Sequence, residues 1–218
     1  MSTLKLIIAN KNYSSWSLRG WLVARHSGLP FEELQFDLGS PDFAKQVAPW
    51  SPTGLVPVLE TSLGAIWDSL AIAEYLAEQV PALWPQEAAA RALARCVSAE
   101  MHSGFMALRQ SMPMNLRAQG RQVAMSEALN ADLARIFTLW QQCRARYAHL
   151  GPWLFGRWSI ADAMYAPVAS RLQTYGVALP EVAAEYVNTV FADPHLQEWL
   201  AAARLEPELA RSEVGRQS

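Results

Sequence analysis

The sequence is short of charge, of cysteine and of long apolar runs, and each shortage removes a class of protein. Asp, Glu, Lys and Arg make up only 17% of the 218 residues, eighteen basic against twenty acidic, for a formal net charge of −2. No basic run of the kind that follows a phosphate backbone is present, so no nucleic-acid partner is expected. The only cysteines, Cys96 and Cys143, have neither a CxxC nor a Cys/His ligand spacing, which excludes a disulfide framework, leaves no metal site to expect and suits a reducing cytoplasmic compartment. The N-terminal apolar stretch, LKLIIA, is shorter than the core of a signal peptide and far below a membrane span, so no membrane or export role is expected.

Apolar material is abundant. Hydrophobic residues are 51% of the chain and include nine tryptophans, enough for a large buried core and too much for disorder. At ~100–200 residues per domain the length permits one large domain or two small ones.

Along the chain, residues 4 to 9 read as a buried strand, and Leu18 to Ser27 as a helix after serines suited to capping it and before the stop Gly28-Leu29-Pro30. Phe31 to Leu38, Leu55 to Thr61 and Ala65 to Trp67 read as further strands, and Asp68-Ser69 opens a helix to about Gln79. The order is β-α-β, then β-β-α. Pro81 to Pro85 ends that pattern, placing a boundary near residue 84. The rest, rich in Ala, Leu, Arg and Gln, predicts five or six helices with breaks at Pro113, Gly120, Gly151-Pro152, Gly176 to Pro180 and Asp193-Pro194.

Four motifs bear on chemistry. In Tyr13-Ser14-Ser15-Trp16-Ser17-Leu18-Arg19, hydroxyls stand at a helix N-terminus, where unpaired NH groups and the macrodipole favour an anion such as a thiolate; helix capping alone is the commoner use of such serines. Pro57, inside Leu55-Val56-Pro57-Val58-Leu59, belongs at a strand start, an edge or a cis turn, and a cis bond there leaves the Val56 backbone free to pair with an extended peptide ligand. Asp68 and Ser69 precede a helix and together match the ammonium and carboxylate of an amino-acid end group, although Asp-Ser at such a place is most often a cap. Ser159 and Asp162 have capping-box spacing, which makes Asp162 a folding residue despite its look of a catalytic acid.

In this order the motifs resemble the cytosolic glutathione transferases over essentially the whole chain, as a bacterial member nearest to the zeta class. The Ser-Ser-Cys-Ser-x-Arg signature of that class is matched by Ser14 to Arg19 with Trp16 in place of cysteine. The resemblance implies an α/β plus all-α fold, a thioredoxin-like glutathione-binding domain over residues 1–80 followed by an all-helical bundle domain over 86–218 that takes the second substrate. It implies Ser14 or Ser15 on the sulfur, Val56 and Pro57 on the cysteinyl backbone, Asp68 and Ser69 on the γ-glutamyl end, and a homodimer. Leu55 stands where the family often has Lys or Gln, which leaves Lys45 as the cation for the glycyl carboxylate. The substrate-carboxylate arginine of zeta isomerases is replaced by Thr174, with Arg171 one turn short, so a conjugating transferase is expected over a maleylacetoacetate-type isomerase; a non-catalytic glutathione-binding protein is the other alternative. The second substrate, a small apolar electrophile, is expected between Trp16 and a helix from Ala88 to about Ser111 that carries His102, Met106 and Arg109 on one face.

Overall fold

The computed structural model describes residues 4–209; residues 1–3 and 210–218, which the expected domain spans include, lie outside it. Strand β1 (Leu4–Ala9) is central in a four-stranded sheet of order β2-β1-β3-β4, pairing in parallel with β2 (Phe31–Phe36) and antiparallel with β3 (Val58–Thr61), which pairs antiparallel with β4 (Gly64–Ile66). A strand covered on both faces has no polar alternation to show, and Leu6, Ile7, Ile8 and Ala9 are fully buried. The parallel β1–β2 pair requires a crossover, supplied by helix α1 (Ser15–Ser27).

Helix α1 begins three residues before its apolar pattern because Ser14 caps it, and it ends at Gly28, whose φ of 70° is the left-handed conformation that glycine adopts without strain. A five-residue helix, α2 (Phe43–Val47), was not expected. Strand β3 starts at Val58, not Leu55: the Val56–Pro57 bond is cis, proline has no ladder donor, and Leu55 is left exposed. Helix α3 (Ser69–Gln79) then packs on α1.

The remaining helices are α4 (Ala88–Ser103), α5 (Met106–Ser111), α6 (Glu127–Tyr147), α7 (Ile160–Thr174), α8 (Glu181–Phe191) and α9 (Pro194–Ala203). Helices α4 and α8 pack on α7, which is buried along almost its whole length and also touches α1, while α6 packs on α5 and α8, and α9 on α1 and α8. Six helices among the described residues agree with the predicted five or six, but the helix expected from Ala88 to about Ser111 is two. It breaks at Gly104 and Phe105, the latter with φ 61°. The Arg109 guanidinium holds the break by donating to the Met101, His102 and Gly104 carbonyls, the acceptors that the end of α4 leaves without partners. His102 and Arg109 therefore lie on different helices. A side chain on Gly104 has no room, since a Cβ there would stand 2.8 Å from the Glu100 carbonyl oxygen.

Candidate active site

The loop between β1 and α1 is held from the C-terminal side of the chain. The Lys11 and Asn12 backbone NH groups donate to the two Glu206 carboxylate oxygens at 2.6 and 2.8 Å, and the Asn12 side chain bridges to Asn115 and Arg117. The Tyr13 hydroxyl accepts from the Leu209 NH and from Arg117, which ties that phenol to the tail. A fixed loop fixes the two serines that follow.

Those serines have separate tasks. The Ser14 Oγ accepts from the Ser17 NH at 3.3 Å and donates its proton to the Ser17 Oγ at 2.7 Å, and the Ser17 Oγ also accepts from the Ala9 NH. Its hydroxyl is a cap, consumed inside the loop. The Ser15 Oγ accepts from Arg171 Nη2 at 3.2 Å, reaching across from α7, and no acceptor takes the Ser15 proton among the described residues. At the first residue of α1, Ser15 is left with a hydrogen to give to a ligand.

The mouths of α1 and α3 are joined through His102. Its ring meets Trp16 edge-on at 5.3 Å, and its Nε2 pairs with Asp68 Oδ2 at 2.9 Å. Asp68 Oδ1 caps α3 by accepting from the Leu70 NH. Ser69, 1% exposed, has an Oγ without a partner among the described residues, at the first turn of α3, where backbone NH groups favour a carboxylate. Pro57 leans on α1 from the third side: a Cβ on Gly20 would stand 3.0 Å from the proline Cγ. The Val56 backbone joins no hydrogen bond among the described residues. The α1 mouth, the α3 mouth and the Val56–Pro57 turn are thus neighbours, and each has a donor that no described residue takes up.

Two family models match the chain that carries this geometry. The N-terminal domain of the glutathione S-transferases matches residues 13–79, and their C-terminal domain matches residues 126–202. The chain belongs to the glutathione S-transferase family. Relatives of this transferase include the rat (Rattus norvegicus) maleylacetoacetate isomerase, 26% identical over 171 residues, 76% of each chain. A glutathione transferase homologue from Burkholderia with bound glutathione is similar in structure at 27% identity, covering 94% of this chain and 99% of that one with a TM-score of 0.69. A zeta-class bacterial maleyl pyruvate isomerase shares the fold, at 22% identity, coverage of 94% and 100%, and a TM-score of 0.71.

The other expected site residues of the transferase are scattered. Met106 is exposed at the start of α5, while Met101, Met112 and Met114 are core. Lys45 stands in solvent, paired with Asp42 at 3.1 Å. Arg109, besides ending α4, lies over the Trp16 ring at 4.7 Å, and Arg19, fully buried, lies over the same ring at 4.6 Å. The site residues that sequence reading passed over are Arg19 and Arg171. Arg19 was the last letter of a motif and Arg171 the wrong place for a substrate contact, and burial is not written in either. A separate cleft of about 820 Å³ lies at the other end of α1, against His26, Trp84, Tyr147 and Trp158, and none of the expected site residues line it. No helix among the described residues is long and apolar enough to cross a membrane, and no group of three metal-ligating side chains gathers among them.

Proposed function

We propose that the transferase binds glutathione across the mouths of α1 and α3, holds its thiol as a thiolate at Ser15 and adds the sulfur to a small apolar electrophile. The observation that carries this reading is the uncommitted Ser15 proton at the α1 N-terminus, since the neighbouring Ser14 hydroxyl is spent on the loop. A hydroxyl donor and the helix dipole both favour the anion, and lowering a thiol pKa by one unit corresponds to about 1.4 kcal/mol of preference for the thiolate. The thiol proton leaves to solvent, and the sulfur is then ready to attack.

The rest of the tripeptide follows from the same cleft. Ser69 and the first-turn NH groups of α3 receive the γ-glutamyl carboxylate, Asp68 shares its outer oxygen between His102 and the γ-glutamyl ammonium, and the Val56 backbone pairs with the cysteinyl residue. Lys45 takes the glycyl carboxylate only by leaving Asp42. The electrophile lies against Trp16 and His102. The isomerase reading has the rat relative in its favour, but Thr174, where such enzymes carry an arginine, donates its hydroxyl to the Asn115 carbonyl in the core. The homodimer is carried over from the family resemblance, and the mass in solution checks it.

Retention on immobilised glutathione, followed by titration of the bound thiol through its thiolate absorbance, tests the reading. Retention with a lowered thiol pKa supports the transferase. Retention with an unshifted pKa favours a non-catalytic glutathione-binding protein. Within the same cleft, Asp68→Asn and Ser69→Ala are expected to raise KM for glutathione several-fold while kcat at saturation changes little, because they touch the end of the ligand remote from the reacting sulfur. Steady-state kinetics with glutathione varied decides, and an unchanged KM in both variants removes the γ-glutamyl end from this place.

A further inference from the structure

We propose that Arg171 is a positioning residue for the sulfur: by donating to the Ser15 Oγ from inside the protein, it turns the Ser15 hydroxyl outward and strengthens it as a donor to the glutathione thiolate. The inference rests on the glutathione reading above and adds the group that makes Ser15 work.

Geometry is the first support. Arg171 is 3% exposed, rooted in the central helix α7, and its Nη2 stands 3.2 Å from the Ser15 Oγ, 156 residues away in sequence. A guanidinium has only donors, so this bond occupies a lone pair of the serine oxygen and leaves the serine hydrogen, which no described residue accepts, for a ligand. A hydroxyl that accepts from a cation is polarised into a better donor. An uncharged acceptor below Ser15 would do the reverse and draw the hydrogen inward, as Ser17 does to Ser14.

The second support is an excess of buried positive charge. Arg171 Nε and Nη1 and Arg19 Nη1 and Nη2 are all buried without hydrogen-bond partners among the described residues. No carboxylate pairs with either guanidinium among the described residues. Arg109 joins them across Trp16 and spends its donors on backbone carbonyls. Burial foremost, and then the mutual repulsion of these arginines, lowers the Arg171 pKa to about 9 and that of Arg19 well below its usual value, so Arg171 still carries its charge at neutral pH. A protein that needed these arginines only for packing would gain by replacing them with apolar side chains of similar volume. Their place beneath the mouth of α1 suits a negative sulfur arriving there: the site is positive in advance of its anion, a preorganised field that needs no rearrangement when the thiolate forms.

The test is the thiol pKa of bound glutathione, which a merely structural arginine would not move. Arg171→Met keeps the aliphatic stem and removes the charge and the bond; it is expected to raise that pKa by about one unit while the affinity for glutathione, measured at a pH where the bound thiol is protonated, changes less than threefold. Arg171→Lys, which keeps the charge without the fixed fork, is expected to give a smaller rise, and it carries the test if the Met variant does not fold. In a Ser15→Ala background, the change at Arg171 should add little, because its effect runs through that hydroxyl. A thiol pKa identical to the parent's in a folded, glutathione-binding Arg171 variant overturns the inference. So does an undiminished shift in the Ser15→Ala background, which would mean that the arginine acts on the sulfur directly. A parent that binds no glutathione overturns the reading of the preceding section and this one with it, whereas a parent with a lowered thiol pKa insensitive to Arg171 overturns this one alone.

Discussion

Ser15→Ala is expected to cut kcat ten- to a hundredfold with little change in glutathione affinity, and Ser14→Ala to lower the melting temperature with kcat close to the parent's. The lost Ser15 donor is a hydrogen bond to an anion, about 1.5–3 kcal/mol, felt in the step that needs the thiolate. The Ser14 hydroxyl instead caps α1 and donates to Ser17. Its loss removes one helix cap, about 0.5–2 kcal/mol, from stability. Turnover and thermal melts on the two single variants separate the roles, and the opposite pattern, an inactive but stable Ser14→Ala beside an active Ser15→Ala, would reverse the assignment. The double variant should add the two effects with little coupling beyond what adjacent positions impose. Should it keep full activity, the backbone NH groups of α1 suffice and neither serine activates the thiol.

That distinction between neighbours is where sequence reading stopped. The strand of residues 4 to 9, the helix to Gly28, the helix opening at Ser69 and the breaks at Gly151 and Asp193 were legible because they rest on local rules: an apolar run, caps, and glycine or proline stops. Ser14 and Ser15 have the same side chain and the same propensity. What separates them is a partner 156 residues away in one case and three residues away in the other, and only the second lies within reach of local reasoning. The Gly104 break failed for a related reason. Met106 and Arg109 continue the apolar and basic rhythm of α4, and the Arg109 guanidinium that closes the break does so by folding back on carbonyls that no periodicity displays. Thus the N-terminal mouths of α1 and α3, set by capping residues, could be read from the chain, while the arginine layer beneath them could not, since two guanidinium groups over Trp16 and a third on the neighbouring Ser15 are a property of the packing of α1, α5 and α7.

Asp162→Ala is expected to be the most destabilising of these changes, and its damage should be to folding. The carboxylate, 1% exposed, accepts from the Ser159 NH and hydroxyl on one oxygen and from the Leu154 NH and Tyr186 hydroxyl on the other. Alanine strands those donors in the core at about 1–3 kcal/mol for each one left unsatisfied, a large share of the roughly 5–15 kcal/mol by which a domain is stable. Soluble yield and melting temperature should fall sharply, while the folded fraction turns over at a near-normal rate per glutathione site. Asp162 also has a pH signature with a definite sign. Burial pushes its pKa up from 3.8 to about 6, against the four hydrogen bonds that pull it down. Between those two values the folded state holds the proton and the unfolded state has released it, so this carboxyl contributes stability that is full below about pH 4 and is lost as pH rises to about 6. Melting temperatures of the parent across that window should therefore fall relative to those of Asp162→Asn, which has no proton to lose; parallel curves would remove the pKa argument. A variant at Asp162 as stable as the parent but inactive would overturn the structural role itself and place this carboxylate among the groups that touch substrate.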